Sequence, residues 1–399
     1  MKIKNEQNIA RVKWAVKNKV CHFAPTISPA PKDFENNEIE SIRKALEYYK
    51  NNNIDELIIE PKYMGSYCDI LVKENINESV FFSRKGYVIE HINREKLIAA
   101  LQPIHDRISK HYDWNVISDL LIQTELTPWS AMGKKLIERE FTSYNDIYKI
   151  HIDYLKESKL FDKISELKNS SRISDYNMDK ETLSLEDFNA KYKQHDIRNI
   201  EAIKNINLFD LDVISNSVQK HKEQIDLYGF DSDVFEIKPF NILKVFYKNG
   251  DEILNESNIY GFTTLNDDVC VILDLNDFDI AVEEAYNYFN FLINNDKMEG
   301  VVIKPTKVYV QDIAPMFKVR NNNYLTLIYG VDFDLNFDYY LSRRKVDKKI
   351  KASINEWKIS QALLRINKKD INTDNEYYVD LVEKRIYEEK LEEDLDGRL

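Results

Sequence analysis

Cysteine is scarce in this sequence, with only Cys21, Cys68 and Cys270 among 399 residues. The three are far apart and two lie in apolar runs, so a disulfide scaffold and a zinc cluster are both excluded, and buried reduced thiols are expected. Apolar stretches of membrane-spanning length are missing too. The opening "MKIKNEQNIARVKWAVKNK" lacks the apolar core of a secretion signal, which points to a cytoplasmic protein with no membrane partner. Glycine and proline number nine each, too few for a fibrous or low-complexity chain. Positive charge is not in excess: 56 Lys and Arg against 68 Asp and Glu leave a formal charge of −12. That argues against wrapping nucleic acid by bulk attraction, while leaving room for a local cationic groove. What is present, 43% hydrophobic and 31% charged residues, describes a globular chain of two or three domains, or one large domain with a small one.

Organisation follows from periodicity. A short helix candidate is followed by "CHFAPTISPAPKDF", whose prolines enforce an extended path. "NEIESIRKALEYYK" places Ile42, Ala45, Leu46 and Tyr49 on one helical face. "DELIIE", "YCDILV" and "SVFFSRKGYVI" then have the short apolar runs of an antiparallel sheet. Residues 144 to about 235 carry several helical patterns and few long apolar runs, as a helical insertion would. Strand signals return in "DVFEIKPFNILKVFY", "VCVILDL" and "EGVVIKP", and the residues after about 336 read as a small helical module. The final "VEKRIYEEKLEEDLDGRL" reads as a charged helix with a solvated face.

Five stretches carry chemistry. In "EPKYMGSY", Lys62 ends an apolar run; its amine can attack phosphorus once deprotonated, and Gly65 allows a close turn beside a nucleotide. A surface lysine before a turn is the plain alternative. In "FFSRKGY", Arg84 and Lys85 suit a phosphate, or form a charged hairpin tip. Glu125 in "LLIQTELTPW" can receive a ribose hydroxyl or a hydrated metal, or is an ordinary strand-end carboxylate. In "MEGVVIKP", Val302 and Lys304 share one strand face with Glu299 at its mouth. In "PMFKVRN", Lys318 and Arg320 share a face, so these two strands are expected to bring three cations into one cleft. Lysine attack on the α-phosphorus of a nucleoside triphosphate, with cations stabilising the developing charge and pyrophosphate leaving, would use all five. His91, His105 and His111 do not combine with carboxylates as a metal site, and Trp129 is expected to pack in the core.

In this order, "KYMG", "SRKG", "TEL", "EGVVIKP" and "FKVR" resemble the motifs of the covalent nucleotidyltransferases, which include ATP-dependent DNA ligases, RNA ligases and messenger-RNA capping enzymes. "APTISPAP", "TELTPWSAMG", "KPFNIL" and "FKVRNNNYLTLIYG" narrow the resemblance to the ligase domain of the bacterial RNA-repair enzyme that joins kinase, phosphatase and ligase modules. It covers roughly residues 18 to 380.

This resemblance implies an α+β fold: an antiparallel-sheet nucleotidyltransferase domain, ATP-grasp-like as in ligases and capping enzymes, with a helical insertion and a helical C-terminal module. The divisions expected are an extension over 1–35, the adenylyltransferase domain over 36–335 with its insertion at about 144–235, and the module over 336–399. It implies that Lys62 carries AMP, that Arg84 lies near nucleotide or RNA phosphate, and that Glu125 meets the ribose. Glu299 would assist Mg2+ or Mn2+, through water, while Lys304 and Lys318 contact the α-phosphate. Glu60, Pro61 (through its carbonyl), Gly65, Phe141, Val302 and Arg320 complete the expected nucleotide contacts, Phe141 as the adenine-stacking ring.

The chain would then use ATP to seal an RNA 5'-phosphate to a 3'-hydroxyl. RNA-binding cations are expected at Arg84, Lys85 and "SRRKVDKK". The sequence contains no G-x-x-x-x-G-K-[ST] loop, so a stand-alone ligase is expected, served by separate kinase and phosphatase end-healing proteins or working with an RNA methyltransferase. A DNA ligase and an inactive nucleotide- or RNA-binding protein of the same fold are the alternatives. One departure stands out: Tyr67 occupies a position where the family usually has arginine, and a phenol offers neither the charge nor the fork of a guanidinium.

Overall fold

The computed structural model describes residues 8–130, 137–229 and 234–399. Two five-stranded sheets form its centre. The first contains β1 (Ser28–Pro29), β2 (Glu56–Lys62), β8 (Val271–Asp274), β9 (Gly300–Pro305) and β10 (Phe317–Arg320), in the order β1-β10-β9-β2-β8. The second contains β3 (Ser66–Lys73), β4 (Val80–Ser83), β5 (Ile117–Thr127), β6 (Glu236–Tyr247) and β7 (Glu252–Leu254), in the order β4-β3-β5-β6-β7. Every pairing between these strands is antiparallel except the short parallel contact of β1 with β10.

Each sheet buries one face under helices, and the side-chain alternation of a strand assigns the other face to the site. On the first sheet Leu57, Ile59, Val301, Ile303, Phe317 and Val319 pack against the helices Ile42–Asn51 and Phe278–Asn295. The residues between them, Glu60, Lys62, Val302, Lys304, Lys318 and Arg320, therefore share the opposite face. On the second sheet Cys68, Ile70, Ile122 and Leu126 pack against Leu97, Leu101, Ile104 and Ile108 of the helix Arg94–His111. Tyr67, Asp69, Gln123 and Glu125 alternate with them. His105 and His111 both belong to that helix, as the sequence leads one to expect.

The helix Ile42–Asn51 forms where periodicity placed it. Ile42, Ala45, Leu46 and Tyr49 are all buried, and the Ser41 hydroxyl accepts a hydrogen bond from the Lys44 amide at 3.3 Å as N-cap. Leu46 is fully enclosed, so Leu46→Ala is expected to cost about 2–5 kcal/mol of folding stability. Chemical denaturation that finds no loss would mean this helix does not support the sheet.

Six helices lie between Ser143 and Tyr228, the stretch whose patterns read as helical. The N- and C-terminal segments meet in a common core: Val12, Ala15, Val20 and Phe23 pack with Trp357, Leu363, Leu364, Tyr378, Val382 and Ile386. The final helix, Glu376–Glu393, is consequently not the solvated element its charge implied. It buries Tyr378, Val379, Leu381, Val382 and Ile386, and also Glu383, Arg385 and Glu389. Arg385 is only 1% exposed and pairs with Glu356 at 3.1 Å. Charged residues that neutralise one another inside the fold look, in sequence, like a surface. All three cysteines are free thiols, and among the described residues no helix is long and apolar enough to cross a membrane.

Candidate active site

Lys62 is the last residue of β2, paired in register with Gly300 at the start of β9. Gly300 also pairs with Arg320 of β10, and a β-carbon there would collide with the Val319 carbonyl. Only glycine lets the two strands close over this point, and the residue before it, Glu299, is thereby set above Lys62. Asn321 holds Glu299 in place, accepting nothing from it but donating two hydrogen bonds to its carbonyl, from the amide at 2.9 Å and the side chain at 3.0 Å. The Glu299 carboxylate lies 3.3 Å from Lys62 Nζ, which also donates to the Tyr63 carbonyl at 3.0 Å.

Glu125 arrives from the second sheet. It stands opposite Tyr67 on β3 and Lys238 on β6, and Gly65 packs directly against it. A β-carbon on Gly65 would come within 2.5 Å of the Leu126 carbonyl oxygen and 2.8 Å of Glu125 Cγ. Gly65 does not adopt a positive φ. Its role is close approach to β5, rather than the turn conformation that its position suggested.

These residues open onto a cavity of about 520 Å3 lined by Lys62, Tyr67, Arg84, Lys85, Glu125 and Lys318. Burial alone would lower the Lys62 pKa, but the Glu299 and Glu125 carboxylates outweigh it and hold the ammonium above its ordinary value. Lys318 goes the other way: burial, then the charges of Arg320 and Lys62, press its pKa well below that of an ordinary lysine. Burial pushes Glu125 up to about 7, helped by Glu299 and opposed by Lys62. The cavity thus holds one lysine biased to stay charged, one biased to lose its charge, and a carboxyl that titrates near neutrality.

Two of the three cations expected in one cleft are already neutralised. Arg320 lies along Glu40, donating to it from its amide at 2.8 Å and from Nε at 3.0 Å, and Arg344 joins the same carboxylate at 2.7 Å. Lys304 is buried against Glu60 at 2.7 Å, under the Phe240 ring, with Val302 beside the pair on the same face. Lys318 is left as the cation of these strands that faces the cavity. Within "SRRKVDKK", Arg344 is buried on Glu40 and Lys349 is buried at the cavity wall, while Arg343, Lys345 and Lys348 remain exposed.

Phe141 packs into a separate apolar cluster with Met64, Trp129, Tyr228, Tyr324 and Ile225. Phe240 of β6 is an aromatic residue on the site face beside Tyr67, its ring meeting Tyr67 edge-on at 6.1 Å and Lys304 at 5.6 Å. Sequence reading passed over it, although "KPFNIL" holds it two residues from Lys238, the register partner of Glu125. Pro61 pairs with Val301 inside the first sheet. Tyr67 commits its hydroxyl to Asp69, donating at 2.6 Å and accepting from Gln123 at 2.8 Å, while the other Asp69 oxygen meets His22 at 2.8 Å. Arg84 and Lys85, not Tyr67, supply guanidinium and ammonium to this wall.

No group of three or more His, Cys, Asp or Glu converges as metal ligands among the described residues. The oxygen donors near Lys62 are Glu299 and Glu125, a hard-oxygen pair that suits a hydrated divalent cation shared with phosphates better than an all-protein cage.

No curated protein sequence matches the chain. A chain in a solved structure described as "Structure of Pnkp1/Rnl/Hen1 complex" is 37% identical, with 99% of this chain and 100% of that one covered at a TM-score of 0.90. A second, "Structure of the Pnkp1/Rnl/Hen1 RNA repair complex", is 37% identical over the same shares at a TM-score of 0.89. The two-sheet α+β architecture is therefore shared along the full length. The family model described as "PNKP adenylyltransferase domain, ligase domain" matches residues 10–373, a span that includes Lys62, Glu125, Glu299 and Lys318, and it is to this family of adenylyltransferase and ligase domains that the chain belongs.

Proposed function

We propose that the protein is an ATP-dependent RNA ligase of RNA repair that works through a lysyl-AMP intermediate. The observation that carries this reading is the position of Lys62: a lysine amine at a strand end, 3.3 Å from Glu299, in a cavity shared with Glu125, Arg84 and Lys318. RNA as the polymer, and partner proteins acting with it in RNA repair, are supported by the similarity to a chain of the Pnkp1/Rnl/Hen1 RNA repair complex. A cytoplasmic setting belongs to the same reading.

Lys62 Nζ forms a bond to the α-phosphorus of ATP as the bond to the β-phosphate oxygen breaks and pyrophosphate leaves. The amine must first shed a proton, and the Glu299 carboxylate beside it opposes that loss by stabilising the ammonium. Lys318 meets the α-phosphate; the phosphate's charge restores its ammonium form against the burial that depressed it. Near neutrality Glu125 is divided between acid and carboxylate, so it can donate to or accept from a ribose hydroxyl. Phe240, rather than Phe141, provides the aromatic face for the base. The Glu60–Lys304 and Glu40–Arg320–Arg344 pairs brace the strands that carry Lys62 and Lys318. Glu299 would hold Mg2+ or Mn2+ through water, and the bound ion supplies charge neutralisation on the phosphates. In the second step an RNA 5'-phosphate oxygen takes AMP from Lys62. The 3'-hydroxyl then attacks that 5'-phosphate and AMP departs.

Incubation with ATP labelled at the α-phosphate tests the first step directly, because the label must remain on denatured protein. The pH dependence is a separate expectation. Lys62 reacts as the free amine and its pKa is raised, so the adenylylation rate climbs from neutral into alkaline solution. Glu299→Gln removes the carboxylate that retains the proton and should move this climb to lower pH. Single-turnover profiles of both proteins check it, and coincident profiles would deny Glu299 that part.

A further inference from the structure

The cations at the mouth of the cavity are not free. The end of the helix Glu376–Glu393 and the residues after it lie across them. Arg84 Nη2 lies 2.7 Å from Glu392 Oε2, and Lys349 Nζ lies 3.4 Å from the other oxygen of the same carboxylate. Lys85 Nζ meets Glu393 at 3.0 Å. The chain continues along the opening, where Leu395, Gly397 and Leu399 line the same cavity as Lys62 and Lys318. Farther along the same segment, Arg320 Nη2 donates to the Arg398 carbonyl at 3.3 Å.

Glu392 sits as a phosphate would: an anion held between a guanidinium and an ammonium. Its side chain is 16% exposed and that of Lys349 is 7% exposed, so the pair is well enclosed. The outer pair, Lys85 with Glu393, is open to water at 44% and 66%. Arg84 has a second tie, donating to the Thr26 hydroxyl at 2.6 Å, and its other neighbour Glu356 is fully buried at 3.7 Å. Arg84 is therefore tied to the body of the fold independently of Glu392, and the carboxylates covering it arrive at the end of the last helix.

Resting on the proposed reading of this site, we infer that Arg84, Lys85 and Lys349 form a phosphate-binding site that the acidic segment 392–396 occupies in competition with substrate. A tethered carboxylate is always present at high local concentration, but it carries one charge, and the outer Lys85–Glu393 pair is open to water. A phosphate offers more charge and more acceptor oxygens, and guanidinium receives two of them at once. The segment is a self-made competitor that polyphosphate or a 5'-phosphate end displaces, and it opposes weakly charged ligands entering the cavity.

The test compares the native chain with Glu392→Gln/Glu393→Gln, which keeps shape and removes two charges. Adduct formation is measured against ATP concentration, and binding of the pre-adenylylated proteins is measured against RNA bearing 5'-phosphate or 5'-hydroxyl. The expected result is a half-saturating concentration ~3- to 10-fold lower in one arm. A fall for ATP assigns the site to the triphosphate; a fall confined to 5'-phosphate RNA assigns it to the RNA end. Adding Lys349→Ala to the double variant should cancel the gain. Unchanged or raised values in both arms, with or without a lower melting temperature, would overturn the inference and leave the contacts purely structural. Absence of any adduct on the native chain would instead contradict the adenylyltransferase reading itself.

Discussion

Lys62→Arg is expected to leave the protein folded and unable to take up AMP, with adenylylation reduced on the order of 10⁴-fold or more. The substitution keeps the positive charge and its partner Glu299, so substrate attraction to the cavity should survive. What it removes is a nitrogen that can lose its proton: guanidinium stays charged throughout the accessible pH range and cannot attack phosphorus. Lys62→Ala should be equally inactive but for an additional reason, since it leaves Glu299, 3% exposed, without its cation. Intact-protein mass after incubation with ATP separates the outcomes. An AMP-sized increment on Lys62→Arg would place the covalent bond on another residue.

Lys318→Met should be the second most damaging change, lowering the adenylylation rate by about 10²- to 10³-fold, the usual cost of removing one preorganised charge from a transition state. Methionine retains the length of the side chain and removes the ammonium. The resting protein should tolerate it, because burial and the nearby Arg320 and Lys62 already disfavour charge on Lys318. Lys318→Met is therefore expected to be at least as stable as the native chain while being slow, and thermal denaturation beside single-turnover rates shows both. A rate near that of the native chain would remove Lys318 from the phosphate and shift attention to Arg84.

The faces of the strands were legible because their period is two: the alternation in "EGVVIKP" sets Val302 with Lys304, and that in "FKVR" sets Lys318 with Arg320, before any fold is known. The amphipathic helix Ile42–Asn51 was legible for the same kind of reason. Charge pairing was not. Glu40 reaches Arg320 across 280 residues of sequence, and Lys304 meets Glu60 across the β2–β9 pairing, so two cations assigned to a cleft turned out to be spent on the frame. Phe141, near "TEL" in sequence, packs with Met64 and Trp129, and an entire helical insertion separates that strand from β6, whose Phe240 lies by Lys304. The last helix misled because Arg385, Glu356 and Glu389 neutralise each other inside the protein. Local pattern reports which face a residue occupies, while its charge partner depends on strand order.

The measurement that bears most directly on the central claim is a chase. The protein, first loaded with labelled AMP on Lys62, is mixed with RNA carrying 5'-phosphate and 3'-hydroxyl ends, alone and with end-healing partner proteins, and compared with DNA of the same sequence. The account predicts that label leaves the protein, appears on the RNA 5' end, and is released as AMP while the strands join, with DNA a poor acceptor. An adduct that forms and never passes to RNA in either setting, or passes equally well to DNA, would contradict it.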